Sequence, residues 1–198
     1  MLRLLALLLI LWLPACQRIS ADVTTFHKFD ESPKGKSFVM VPYRSQVGSL
    51  EWQSYSGLVA QQLEKNGLVQ VDQGAVADFG VFLNYAVDGG RTTSYSAPIV
   101  GPITYVTSSN GRTTPIYGVV GFNAVQTTLY GSTVKVVMYD VRNVREKKLP
   151  VIVFEGIGSS ANPTAALNPV MPTIVAGIFT DWPGPSGQTR RTYAGAAR

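Results

Sequence analysis

Apolar and polar residues alternate most regularly between Asp78 and Val87. Every second position is apolar there, which is the period of a β-strand that turns one face toward a core. The intervening positions are smaller or more polar, apart from Phe82. The alternating set comprises Phe79, Val81, Leu83, Tyr85 and Val87.

The stretch that follows Ser49 has helical spacing instead. Trp52, Tyr55, Val59 and Leu63 recur at intervals of three and four, so they form one apolar stripe along a helix. The Ser49 hydroxyl can cap the first turn, and Asn66-Gly67 is a typical helix end. Short apolar runs at 38–41 and 68–71 predict a strand on either side of the helix.

Residues 88–128 are rich in glycine, serine, threonine and tyrosine and poor in charge. Two stretches within them, ITYVTSS and PIYGVVGFNAV, have β character, so we expect an extended hairpin insertion. Strands are expected over 129–141 and 149–158, joined by a charged turn at 142–148. A last helix is expected from about 168–172 to about Thr180.

This order of elements predicts an α+β fold. The strands after position 67 follow one another through turns, which favours a mostly antiparallel sheet of about five strands. Two amphipathic helices are expected to pack on one face of that sheet. We expect a single domain over 37–183 that carries the 88–128 insertion, after a tether at 16–36 and before a basic flexible tail at 184–198.

Residues 1–15 have the order of a bacterial export signal. The apolar run from Leu4 to Leu13 is too short for a membrane-spanning helix, which needs about 20 apolar residues. It ends in Leu13-Pro14-Ala15-Cys16, which resembles a lipobox, and Cys16 is the only cysteine. We therefore expect Cys16 to be the lipidated N-terminus of the mature chain. The alternative is a removed secretory signal with an incidental cysteine.

The lipobox resemblance also implies a location. Gln17 stands directly after the cysteine where retained lipoproteins carry aspartate, so the usual sorting rule places the domain on the outer membrane, facing the periplasm. Without residues 1–15 the chain loses one basic residue, Arg3, and its net charge falls from +5 to +4. This mild excess suits attraction to anionic envelope polymers but not nucleic-acid binding, which requires denser basic patches.

The sequence holds no recognisable catalytic constellation. His27 is the only histidine, and one histidine cannot organise a zinc site, so no metal or other cofactor is expected. No Gly-x-Ser-x-Gly elbow offers a serine nucleophile, and Cys16 is used by the expected anchor. The GIGSS stretch at 156–160 lacks the lysine of a phosphate-binding loop. Asp78 and Asp140 are either a carboxylate pair on neighbouring strands or two separate polar strand ends. We therefore do not expect an enzyme.

Two sets of residues are candidates for binding. Tyrosines in the insertion can stack on sugar rings of peptidoglycan or lipopolysaccharide, or they can cover the insertion's own apolar face. The basic turn can bind an anionic polymer, or it can be a solvated tip. The candidates are Tyr95, Tyr105, Tyr117, Arg142, Arg145, Lys147 and Lys148.

The chain resembles the bacterial lipoproteins grouped as domain of unknown function 4136. The resemblance rests on the alternating strand after Ala77-Asp78-Phe79, the aspartate Asp140 near the end of a later strand, and the closing segment from Phe179 to Pro183. It implies a location and a fold, since this family has no established activity. The expected function is a non-enzymatic outer-membrane lipoprotein that contacts another envelope protein. The alternatives are a peptidoglycan-binding or anionic-polymer-binding module and, less favoured, an undetected hydrolase.

Overall fold

The computed structural model describes residues 19–29, 31–142 and 149–194. They contain eight strands, two α-helices and a short 3-10 turn at Arg44–Gln46. In chain order the elements are β1 Ser20–His27, β2 Ser37–Val41, α1 Leu50–Lys65, β3 Val69–Gln70, β4 Phe79–Val87, β5 Arg91–Thr107, β6 Thr113–Asp140, β7 Val151–Asn162, α2 Met171–Phe179 and β8 Thr189–Tyr193.

All eight strands belong to one mixed sheet. Its order is β3-β2-β4-β6-β7-β1-β8, and β5 pairs with β6 beyond the end of β4. The pairs β2–β3 and β2–β4 are parallel, because α1 carries the chain back across the sheet, and the remaining pairs are antiparallel. The expected sheet of about five strands is therefore wrong.

The missing strands lie in segments that were expected to be a tether and a tail. Residues 16–36 contain β1, and residues 184–198 contain β8, which pairs with β1 at the sheet edge. In β1 the inward residues Ala21, Val23 and Thr25 do alternate, but one is small and one is polar, so their periodicity is faint. In β8 the sequence TRRTY has no apolar alternation at all. Both strands join the sheet through backbone pairing, although neither has a strong hydrophobic pattern.

Helix α1 follows the sequence closely. The Ser49 hydroxyl accepts a hydrogen bond from the Trp52 backbone N–H at 3.2 Å, and Gly67 ends the helix with φ of 90°. The predicted stripe Trp52, Tyr55, Val59 and Leu63 is buried. Helix α2 lies beside α1, so both helices cover the same face of the sheet and share one core with β1, β2, β4, β6 and β7.

Glycines allow α2 to approach the sheet closely. A Cβ placed on Gly158 of β7 would lie 2.3 Å from Cγ2 of Ile174, and one on Gly156 would lie 2.4 Å from Cγ2 of Ile178. On the helix itself, a Cβ at Gly177 would lie 2.5 Å from Thr192 of β8. Thus two glycines of GIGSS receive the isoleucines of α2, and this segment is a packing surface rather than a phosphate loop.

Strand β8 supplies hydrogen-bond donors to the C-terminal end of α2. The guanidinium of Arg190 donates hydrogen bonds to the backbone carbonyls of Gly177 and Thr180, at 2.9 and 2.8 Å. The Gly177 carbonyl also accepts a longer hydrogen bond, of 3.3 Å, from the Thr180 N–H, and a positive charge is favourable at a helix C-terminus. On the outer side of β8, Arg191 holds Asp22 of β1 through two hydrogen bonds of 2.7 and 2.8 Å. The segment 189–193 is therefore structural.

The close approach of α2 predicts an asymmetric response to added methyl groups. Gly158→Ala should lower the free energy of unfolding by about 1–3 kcal/mol, because Ile174 is fully buried and must shift. Gly57→Ala in α1 is the matched control. Nothing lies within 4 Å of its added Cβ, so we expect stabilisation of about 0.5–1 kcal/mol. Urea denaturation measures both, and an unchanged midpoint for Gly158→Ala would contradict the packing described here.

Candidate functional site: a projecting two-stranded arm

Strands β5 and β6 extend beyond the rest of the sheet as a two-stranded ribbon. Residues 91–107 pair antiparallel with 113–129, and we call residues 91–129 the arm. At about 3.3 Å per residue the 17 residues of β5 span roughly 55 Å. The turn at the tip is closed by a hydrogen bond of 2.9 Å from the Ser108 N–H to the Arg112 carbonyl.

The base of the arm is fixed by one carboxylate. Oδ1 of Asp88 accepts hydrogen bonds from the backbone N–H groups of Gly131, at 2.7 Å, and Gly90, at 2.9 Å. The bond from Gly131, followed by that from Gly90, lowers the pKa of the Asp88 carboxyl below its ordinary value. Asp88 therefore ties the break between β4 and β5, which pair with β6 one after the other, to Gly131 of β6.

The surface of the arm is apolar and almost uncharged. Between Arg91 and Lys135 the only charged residue is Arg112 at the tip. Large apolar side chains are more than half exposed along both strands, among them Phe122 at 67% and Tyr117 at 64%. Contiguous exposed apolar surface of this kind marks sites of interaction in soluble proteins.

Two irregularities in the ladder divide the arm into segments. One lies at Val120, between the Ile99–Gly121 and Val100–Val119 pairs, and the other lies at Ile103, between Pro102 and Thr104. Three aliphatic side chains cover three glycines of the facing strand: Ile99 lies over Gly121, Val120 over Gly101 and Ile103 over Gly118. The glycines leave room for these side chains, so the ribbon is stabilised by contacts within itself.

The register separates the three candidate tyrosines. Tyr95 pairs with Val125 on one face of the ribbon. Tyr117 faces Pro102 and Tyr105 faces Pro115, and because 115 and 117 are two residues apart on one strand, these tyrosines share a face. The extra residue at Ile103 on β5 puts Tyr105 on the face opposite to Tyr95, and the extra residue at Val120 on β6 does the same for Tyr117. The structure thus brings Tyr105 and Tyr117 together near the tip and leaves Tyr95 apart.

The candidate basic turn is described only at its first residue. Arg142 forms a salt bridge with Asp140, which lowers the pKa of the Asp140 carboxyl through the hydrogen bonds of the guanidinium. Its charge is therefore largely matched by a neighbouring carboxylate. The other three members of the set, Arg145, Lys147 and Lys148, lie outside the described residues, as does the lipidation candidate Cys16.

Asp78 and Asp140 lie on neighbouring strands but accept hydrogen bonds from different residues. Oδ2 of Asp78 accepts hydrogen bonds from the backbone N–H and the hydroxyl of Ser37, both at 2.8 Å, while Asp140 holds Arg142. The backbone hydrogen bond from Ser37 is the main cause of a lowered pKa at Asp78. The pKa of the Asp140 carboxyl is lowered as well, chiefly by the Arg142 guanidinium, and this direction is opposite to that of a carboxylic acid that donates a proton near neutral pH.

The histidine and the possible metal ligands of the described residues can also be placed. The His27 ring is used locally, with Nε2 2.8 Å from the Gly184 carbonyl. Within 19–29, 31–142 and 149–194, no group of three or more histidine, cysteine or acidic side chains is placed to hold a metal ion. None of the helices in that part of the chain is long and apolar enough to cross a membrane.

Sequence reasoning missed the residues that distinguish the two edges of the arm. Pro98 and Pro102 lie within β5, whereas β6 carries Pro115 near the tip and no proline from 116 to 140. Proline spacing was visible in the sequence. Its meaning depends on which strand lies at which edge, and only the register supplies that.

The model of the family described as Domain of unknown function (DUF4136) matches residues 20–184. The chain belongs to the DUF4136 family. This confirms the resemblance noted in its sequence. No curated protein matches the chain.

Three solved structures are similar to this DUF4136 chain. A PDZ domain protein from Parabacteroides distasonis aligns over 88% of this chain and 38% of its own, with 15% identity and a TM-score of 0.49. The chain thus spans well under half of that protein. PelC dodecamers from Paraburkholderia phytofirmans align over 80% of this chain in two crystal forms, covering 93% and 94% of PelC, with 15% and 14% identity and TM-scores of 0.37.

The carboxylate of Asp78 predicts part of the acid sensitivity of this DUF4136 domain. Its pKa is lower in the folded than in the unfolded chain, so its contribution to stability is present above about pH 4 and is lost as the pH falls through the folded value. Asp78→Asn should therefore lower stability at neutral pH and flatten its decline below about pH 4.

The matched control is Asp72→Asn, which removes the same charge from an exposed turn. It should leave the pH profile of the free energy of unfolding as in the native chain. Equal pH profiles for Asp78→Asn and the native chain, measured by urea denaturation between pH 2.5 and 7, would contradict the role given to Ser37.

Proposed function

We propose that this chain is a non-enzymatic lipoprotein of the outer membrane and that its arm is the surface that contacts another envelope protein. The observation that carries the proposal is the arm itself. It is a ribbon of roughly 55 Å whose apolar side chains are exposed on both faces and whose only charge between Arg91 and Lys135 is Arg112.

The arm has the properties of a surface that a partner completes. An isolated two-stranded ribbon is at best marginally stable in water, and exposed strand edges in natural proteins are usually protected by charged side chains. This ribbon carries no lysine or acidic residue from Thr92 to Val134. Its length also exceeds what a connection between β4 and β6 requires, since Val87 and Ser132 already pair at its base.

The proposed anchor and the arm leave the sheet at the same end. β1 begins at Ser20, whose carbonyl accepts a hydrogen bond of 2.6 Å from the Ser160 hydroxyl, and the next residue, Ala161, pairs with Gly131 at the base of the arm. Only three residues separate Cys16 from Ser20. Four Cα steps span at most about 14 Å, so a lipid on Cys16 would hold the base of the arm close to the bilayer.

This short connection restricts the orientation of the domain. The sheet extends from the base in one direction and the arm in the other. An arm that pointed straight away from the membrane would push the sheet, with its polar and charged residues, into the lipid. The arm is therefore expected to lie along the anchored side of the domain, within reach of other envelope proteins.

Removal of the arm tests the proposal. Arg91 and Leu129 are paired, so residues 92–128 can be replaced by Asn-Gly, which favours a two-residue hairpin turn. The shortened chain should fold and remain on the membrane. In the native chain, a photo-crosslinker at Phe122 should form adducts with another protein. In the shortened chain, a photo-crosslinker at Arg91 or Leu129 should not form those adducts.

The control position is Glu64 on the exposed side of α1, where few or no arm-dependent adducts are expected. Adducts that persist unchanged in the shortened chain would contradict the proposal. Arm-dependent sedimentation with isolated sacculi, without protein adducts, would favour the peptidoglycan-binding alternative instead.

The anchor is tested separately. Cys16→Ser should leave the precursor uncut or the domain free in the periplasm, because no thiol remains to carry the lipid. Detergent partition of cell extracts measures this. Membrane association that survives the substitution would contradict lipidation at Cys16, while leaving the arm hypothesis standing.

A further inference from the structure

The two long edges of the arm are chemically different. A proline has no backbone N–H, so within a ladder it is tolerated where its nitrogen faces away from the neighbouring strand. Pro98 and Pro102 both pair with β6 residues, hence their nitrogens face the outer edge of β5. That edge lacks two donors in its middle, which hinders the addition of a further strand.

The outer edge of β6 keeps its donors except at Pro115, which lies near the tip. Phe122 and Tyr117 pair with the two prolines, so their own peptide groups also face outward. With period two, Ala124, Gln126 and Thr128 do the same. No hydrogen bond to this edge, from 113 to 129, occurs among the described residues, because β7 pairs with β6 only from Tyr130 onward.

We infer that this edge of β6 pairs with the same edge of a second copy of the chain, antiparallel and about a two-fold axis. The inference rests on the proposed function, because it assigns a partner to the arm. A two-fold contact uses one patch on both subunits and closes after two copies. The proline-bearing edges of β5 would then form both outer edges of a four-stranded ribbon, so growth stops there.

The extra residue at Val120 fixes a register for this pairing. Outward peptide groups fall on even positions from 122 to 128 and on odd positions from 113 to 119, because the ladder shifts by one between them. Pro115 is the one outward position in these ranges that offers a carbonyl but no N–H. Two antiparallel copies therefore match when Phe122 faces Val119 of the second copy. This alignment overlaps the arms along their whole length, and each tip ends where β7 of the other copy begins.

The side chains fit this register. Phe122 meets a β-branched valine, and Ala124 meets Tyr117 of the second copy, so aromatic residues face a branched and a small partner on one face. The nearly uncharged surface lets two copies of a chain with net charge +5 meet without like-charge repulsion at the contact. Lipid anchors at both arm bases can also lie in one membrane, since the two-fold axis can stand along its normal.

A pair of proline variants on one rung tests the inference. Ala124 and Ser96 face each other across the arm, and each directs its N–H outward on its own edge. In the full chain with Cys16→Ser, Ala124→Pro should weaken the dimer at least about tenfold, because each dimer loses two edge hydrogen bonds. Ser96→Pro should leave the dimer dissociation constant unchanged. Sedimentation equilibrium measures it.

Two further readouts decide the result. Ala124→Lys and Ser96→Lys repeat the comparison without changing the backbone, and circular dichroism checks that all four variants stay folded. A chain that is monomeric throughout the concentration series, or a dimer equally sensitive on both edges, overturns self-pairing. Loss of self-pairing with arm-dependent adducts to a different protein would leave the proposed function intact, and loss of those adducts as well would overturn both.

Discussion

The close contact between α2 and the sheet is the constraint on which the rest of the domain depends. Gly156 and Gly158 remove side chains from β7 where Ile178 and Ile174 enter, and Gly177 does the same for Thr192. Close packing adds dispersion contacts, but it tolerates no extra atoms. It also brings the end of α2 within reach of Arg190, which in turn positions β8 against β1. The position of β8 at the edge of the sheet therefore depends on the packing of α2.

The arm is held rigid because its strand β6 continues from this core. β6 is one strand of 28 residues, and its second half lies between β4 and β7, where Val134, Val136 and Met138 are fully buried. The first half is therefore an extension of the best-anchored strand of the sheet rather than a loop attached to its rim. Asp88 adds a hydrogen-bonded joint at the base. A ribbon that would be marginal alone gains a fixed direction from the strand that it continues.

Sequence patterns predicted the elements that bury large apolar side chains, and they failed for the strands that join the sheet mainly through backbone pairing. The stripe of α1, its Ser49 cap and the alternation in β4 are strong because each inward position holds a large apolar residue. β8 was missed because it has no apolar alternation, and β1 was missed because its buried residues Ala21, Val23 and Thr25 include one small and one polar side chain. In the candidate site, the tyrosines were found by composition, but their separation onto two faces depends on the extra residues at Val120 and Ile103. Such a shift has no sequence signal of its own.

The distribution of proline and charge along the arm is best understood as protection of one edge only. Natural sheets block exposed edges with lysines, prolines or irregular ladders. Here two prolines fall in the middle of β5, whereas the outward edge of β6 carries one, Pro115, near the tip, and its peptide groups from Tyr117 to Thr128 are intact and carry no nearby charge. An arm selected only to avoid aggregation would need protection on both edges. An arm that pairs with one strand needs protection on the edge that remains outermost, and that is the edge where the prolines lie.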